Sequence, residues 1–156
     1  MLDSDILAAR EHAESYLSRA LITQTLEARY DYFTEHMFIP RPNLVSVTSL
    51  KYIDTNGDEQ TLDASLYKVD QHSVPGRVVP AYGEVWPSAR FEINAVTLRF
   101  VAGYGAAEDV PQAIKQAMLL HIGHMFENRE QGTPVAITDI PMGYSALMST
   151  HRVHRF

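Results

Sequence analysis

The chain has no cysteine among its 156 residues, so neither a disulfide framework nor a thiolate metal site can be built from it. That composition fits a reducing compartment. It has one tryptophan, no apolar cluster approaching the roughly 20 residues that span a bilayer, and no signal-peptide pattern at its start. No membrane partner is expected. Cationic charge is short: 13 Lys and Arg stand against 19 Asp and Glu, a net charge of −6. Lys and Arg supply affinity for phosphate backbones, so broad nucleic-acid binding is not expected. A surface that DNA slides past without sticking remains compatible. Internal repeats and low-complexity tracts are missing too. What is present, 46% apolar and 21% charged residues, is ordinary for a globular protein, and the length suits one domain or a core with one sizeable insertion.

Ile6, Ala9, Ala13, Tyr16 and Leu17 recur at helical spacing and predict an amphipathic helix over 3–20, with Asp3 and Ser4 both competent N-caps. From Gln24 to Phe33 the period becomes two, with Leu26, Ala28, Tyr30 and Tyr32 on the inner face of a half-buried strand. Pro40 and Pro42 interrupt, and Leu44 to Ile53 resumes as a strand. Asp54-Thr55-Asn56-Gly57 is a turn, because Asn and Gly tolerate positive φ. Thr61-Leu62 and Leu66 to Val69 are expected to return as the partner side of that hairpin. Pro75, Gly76, Pro80, Gly83 and Pro87 exclude a central strand between 73 and 90, which leaves Val78-Val79 as a short edge strand and Trp86 as a plug over one end of the sheet. Ala95 to Ala102 is the last strand, with Val96, Leu98, Phe100 and Ala102 sharing a face.

After Gly103-Tyr104-Gly105 the longest helix begins, with Asp109 as N-cap and Pro111 in its first turn, and it ends near Glu130. On a wheel of about 100° per residue, Ile114, Ala117, Met118, His121 and Met125 cluster, and Leu119, Ile122 and Phe126 adjoin them. An apolar arc of about half the circumference predicts cover on two sides. Leu120 falls outside it, beside His124 and Glu127, which marks these three as a natural subunit contact. The segment 133–156 has a Pro141-Met142-Gly143 break, one short helical turn around Ser145 to Met148, and a basic end of His151, Arg152, Val153, His154, Arg155 and Phe156. That end has too little apolar content to dock unaided, so it is a tail or a partner-binding arm.

No catalytic motif emerges. His121, His124 and Glu127 stand at successive i, i+3 steps, but these drift round a helix by about 60° each, and the metalloprotease spacing is absent. Core and interface histidines explain them better than metal ligands. Gly103-Tyr104-Gly105 lacks the third glycine of a dinucleotide fingerprint and the lysine of a phosphate loop. Asp54, Asn56 and Asp58 lack the closing Glu of a calcium loop. Catalytic residues, cofactor and bound metal are therefore not expected, and the residues describe an α+β domain with a binding or structural role.

The order of these pieces resembles the phage head–tail connector (adaptor) proteins, the group that includes the HK97 gp6-like and phiE125 gp8-like families. The resemblance is carried by Ala9-Arg10-Glu11 to Tyr16, Leu21 to Thr25, Ile39-Pro40-Arg41-Pro42, Tyr52-Ile53-Asp54 with Gly57, Tyr67 to Asp70, Phe100 to Gly105, Val110-Pro111, and Pro141-Met142-Gly143-Tyr144. It implies an α+β fold with a helical core from an N-terminal and a long C-terminal helix, an antiparallel β-sheet insertion over about 24–102, and an extended C-terminal arm. Residues 1–132 would form the adaptor domain and 133–156 the arm. It further implies a structural virion protein of the neck, made in the host cytoplasm. Such proteins form a homo-oligomeric ring, commonly twelve-fold, between the portal protein and the next neck or tail protein, with DNA passing through unread. The arm, His151 to Phe156, would grip the portal. A neck or tail-completion (stopper) protein is the neighbouring alternative, and a metal-dependent enzyme using His121, His124 and Glu127 is the remote one. Family chains usually begin with a further helix before the position of Asp5, so a truncated start is expected.

Overall fold

The structure, a computed structural model, describes residues 2–130 and 142–153, with side chains over 4–126 and 143–153. The fold is α+β, in two compact units: a helical unit of Met1–Leu21 with Gly105–Phe156, and a β unit of Ile22–Tyr104. Chain order is α1 (Leu2–Leu17), β1 (Gln24–Tyr30), β2 (Met37–Phe38), β3 (Leu44–Ile53), β4 (Glu59–Leu62), β5 (Tyr67–Asp70), β6 (Arg77–Pro80), β7 (Val96–Ala102), α2 (Gln112–Glu130) and α3 (Met142–Ser149).

The β unit holds a four-stranded sheet in the order β1-β7-β3-β4 and a three-stranded sheet in the order β2-β6-β5. All pairings are antiparallel. β7 is the inner strand that the alternation predicts: Val96, Leu98, Phe100 and Ala102 are all buried, each contributing in proportion to its apolar area. Leu98 lies opposite Ala28 on one side and Leu50 on the other. β1 stops at Tyr30 rather than Phe33, because Asp31 turns its carboxylate to the Asn94 N–H at 2.9 Å, and Tyr32 is left 59% exposed.

Two strand expectations are corrected. Only β4 returns along β3; β5 belongs to the second sheet. Asp63 diverts the chain between them, its carboxylate accepting the Ser65 N–H at 2.8 Å to cap a short 3₁₀ turn. β6 is the central strand of its sheet rather than an edge. It tolerates this because it spans four residues: Pro75 and Gly76 precede it, and Pro80 forfeits a ladder donor only at its end. Trp86 stacks on Phe33 with centroids 4.8 Å apart and donates its Nε1–H to the Thr34 carbonyl at 2.8 Å.

In the helical unit α1 buries Ala9, Ala13 and Leu17, with Asp5 on the same stripe, while Ile6 faces outward. The stripe therefore runs at i, i+4 through small residues that allow close helix approach. Ser18 at φ 54 ends α1 before the expected Ala20, and the Glu14 carboxylate caps the Leu21 N–H at 2.9 Å. Asp109 does not cap α2. Its carboxylate accepts the Ala106 N–H at 2.9 Å to close a 3₁₀ turn, and the Pro111 carbonyl takes the Ile114 and Lys115 amides. Both α1 and α3 pack on α2, giving the two-sided cover that its broad arc predicts. The arc is still not fully covered: Ile114 and Ala117 are buried, but Leu119 and Phe126 remain more than half exposed.

The stretch after 141 contains more structure than one turn. α3 is eight residues long and fully buries Tyr144 and Met148. Residues 151–153 then fold back along the end of α1: the Arg19 Nε–H donates to the His151 carbonyl at 2.6 Å, and the Val153 N–H to the Leu17 carbonyl at 3.1 Å. The Arg152 guanidinium lies 5.1 Å from the Tyr16 ring centroid. Backbone hydrogen bonds and a cation–π contact thus do what apolar content was too scarce to do. His154, Arg155 and Phe156 lie outside the described residues. Among the described residues no helix is long and apolar enough to cross a membrane.

Candidate interaction surfaces

The predicted contact residues fall on one helix but in different settings. Leu120 is 45% exposed, at the α2 edge beside α3, where a Cβ on Gly143 would stand 3.6 Å from its Cδ1. His124 is half-buried. Glu127 lies in α2, with its side chain outside the described residues. The His121 ring is stacked on His12 of α1 at 4.8 Å and 13°. Among the described residues no group of three or more His, Cys, Asp or Glu is placed to hold a metal ion. The position of His121 is that of a helix-packing residue.

The three helices meet at aromatic rings. Tyr144 of α3 lies 5.5 Å from both the His12 and His121 rings, and its hydroxyl is 2.8 Å from His12 Nδ1. Burial, with a smaller contribution from Tyr16, pushes the Tyr144 hydroxyl up to about 12. Burial also lowers the His121 pKa, helped by His12 and then His124. His121 Nδ1 is buried with no hydrogen-bond partner among the described residues.

The β unit carries a surface that the sequence reading missed. Along the loop between β6 and β7, Tyr82 is 99% exposed, Phe91 96%, Val85 84% and Ile93 80%. The backbone beneath them is tied down at several points. Ala81 N–H donates to the Leu66 carbonyl, Arg90 N–H to the Ile53 carbonyl at 2.8 Å, and Ala89 bridges Asp54. Trp86 and Asn94 add the anchors already described. A tethered loop presenting four large apolar side chains differs from scattered surface leucines, which need no explanation. Each would gain roughly 1.5–3 kcal/mol if a partner buried it fully. The signal in the sequence was available: apolar residues at no strand or helix period, inside a Pro- and Gly-broken segment.

Two carboxylates, Asp54 and Asp70, are occupied by turns. Asp54 accepts the Asn56, Gly57 and Asp58 amides on Oδ1 and the Gln60 side chain on Oδ2. The Asp58 amide and Gln60 foremost hold its pKa below the usual carboxylate range. Asp70 is held at about 2, chiefly by the Ser73 hydroxyl and amide, with His72 and Arg77 adding. These are hairpin and loop fasteners.

No protein-family model and no curated protein matches the sequence. Solved structures do. The chain is similar, with a TM-score of 0.80 and 23% identity over 99% of its length, to a chain in the neck of a native gene transfer agent particle computed with C12 symmetry, of which it covers 83%. A chain in the neck of an empty particle, computed with C6 symmetry, gives the same score and identity with 78% of that chain covered. A chain of the native virion gives 0.77 at 23% identity, again over 99% of this chain and 78% of that one. At this identity the likeness is one of fold.

Proposed function

We propose that the chain is a structural virion protein of a phage-like neck, a head–tail connector that forms a ring between the portal and the tail components and surrounds the DNA passage. The observation that carries this reading is the fold likeness, over 99% of the chain, to chains of a particle neck computed with C12 symmetry. A twelve-fold ring follows as the proposed assembly. A closed ring needs two different lateral surfaces on each subunit. The flank of α2 with Leu120, His124 and Glu127 and the loop bearing Tyr82, Val85, Phe91 and Ile93 are proposed to face neighbouring chains. The terminal segment from His151 to Phe156 is proposed to meet the portal. The net charge of −6 suits a passage that must not retain DNA. The neighbouring reading, a stopper one layer further down the neck, shares the fold and differs in partner.

Electron microscopy of the protein mixed with its portal tests both. The connector reading expects rings seated on the portal, lost in the double variant Tyr82→Ser, Phe91→Ser while the Trp86 fluorescence of the folded β unit is kept. A protein that stays monomeric and ignores the portal overturns it. Rings that bind a neck protein but never the portal favour the stopper.

A further inference from the structure

We propose that the His12–His121 stack is a proton-sensitive latch: a proton taken up by His121 releases α3 and residues 151–153 from α1 and α2, while the β unit stays folded. This goes beyond the connector reading and does not depend on it. The latch is where three helices converge, one ring from each: His12 on α1, His121 on α2 and Tyr144 on α3. α3 has eight residues, too few to be stable as an isolated helix, so its place depends on burying Tyr144 and Met148. Tyr144 is also the residue that touches both histidines.

Hydrogen-bond accounting favours the uncharged state of His121. The Tyr144 O–H can donate into the His12 Nδ1 lone pair at 2.8 Å, which leaves the His12 N–H on Nε2. His121 Nδ1 is buried without a partner among the described residues, a modest defect while it is a bare lone pair. In the imidazolium both nitrogens carry hydrogens, so that atom becomes a buried donor with no acceptor. Charge on the His12 ring, 4.8 Å away, would repel that of His121.

The described groups that act on His121 supply no compensating negative charge. α1 contributes His12 and Tyr16, α2 contributes His124, and α3 contributes Tyr144, which stays protonated. The Arg152 guanidinium, a cation, lies over the Tyr16 ring. Among the described residues no carboxylate is one of the groups acting on His121.

The sign follows from linkage. The folded state depresses the His121 pKa below its ordinary 6.5, so the opened state binds the proton more readily. The latch is at full strength above 6.5 and weakens as pH falls from 6.5 toward the folded value, by at most about tenfold per pH unit for one proton. The depressed carboxylates of the β unit, Asp54 and Asp70, titrate well below that window, so acid separates the two units' responses.

Hydrogen exchange on the full chain at pH 7.5 and pH 5, corrected for intrinsic rates, tests the latch. Amides of α3 are expected to lose protection at pH 5 by up to about tenfold per pH unit, while those of β7 keep theirs. His121→Phe keeps a ring for the stack and removes the titrating nitrogen, so α3 should stay protected at both pH values. Equal α3 protection in the native protein at both pH values overturns the proposal, as does acid loss that persists in His121→Phe. Should that variant not fold, the imidazole titration of the unmodified protein by NMR decides: a His121 midpoint at or above 6.5 overturns the latch, and one below it supports it.

Discussion

Replacing Gly103 by alanine tests how tightly the β unit is closed. Gly103 follows β7 at φ +139, and a Cβ there would lie 2.6 Å from the backbone of Ile22 and Thr23. Backbone cannot swing aside as the end of a side chain can. Its N–H donates to the Asn43 carbonyl at 2.9 Å, so the residue is also pinned from the other side. Two costs add in Gly103→Ala. Forcing an L-residue into this backbone region costs about 1–3 kcal/mol, and relieving the collision costs about 1–3 kcal/mol more. The sum, about 2–6 kcal/mol, is a large share of the roughly 5–15 kcal/mol that holds a domain together. Gly83 is the control: at φ +83 with nothing within 4 Å of an added Cβ, it has backbone strain alone. Gly83→Ala should therefore cost only about 1–2 kcal/mol. The single tryptophan, Trp86, lies in the β unit and reports its urea unfolding by fluorescence. Gly103→Ala should lower the midpoint by roughly 1–3 M, at an m of about 2 kcal/mol/M, and clearly more than Gly83→Ala does. Equal shifts for the two variants would refute the close-approach argument and leave only the backbone term.

Two further outcomes are expected. Tyr144→Phe removes only the hydroxyl that meets His12 and should cost about 0.5–1.5 kcal/mol, whereas Tyr144→Ala empties a fully buried site and should cost about 3–5 kcal/mol; urea melts followed by helical circular dichroism separate them, and equal costs would show that the ring fills no space. Asp70 is depressed to about 2 from 3.8, so what it contributes is complete above 3.8 and is lost as pH falls through about 2. A carboxyl-carbon NMR titration should place its midpoint near 2 and higher in Ser73→Ala; a native midpoint near 3.8 would remove Ser73 from the account.

Much of the fold is legible where a period persists. β7 alternates Val96, Leu98, Phe100 and Ala102 over seven residues, enough for its inner position to be read directly. α1 and α2 are long enough for their stripes to stand out, although Ile6 turns outward and Asp5 inward. Legibility fails where tertiary partners decide. α3 is too short to show a helical period, and only the rings of α1 and α2 explain why Tyr144 is buried. β6 reads as an edge because of its prolines, yet Pro75 precedes the strand and Pro80 only closes it. Asp109 had the composition of a helix cap, but the 3₁₀ turn before α2 claimed its carboxylate. At the candidate surfaces the limit is different. Tyr82 and Phe91 stand out in the sequence only as apolar residues off any period, and their exposure follows once the core is complete without them.

The pairing of Gln24 with Ala102 has a consequence for how such a chain can diversify. β1 and β7 are neighbouring strands, so the chain enters and leaves the β unit roughly 5 Å apart. To the three helices everything between is equivalent to one short turn, however long it becomes. Residues added at the Asn56-Gly57 tip or between Tyr82 and Ile93 leave that gap unchanged. Those loops are thus free to vary in length and composition, while Ala9, Ala13, Ala117 and Tyr144 stay under a separate and stricter packing constraint.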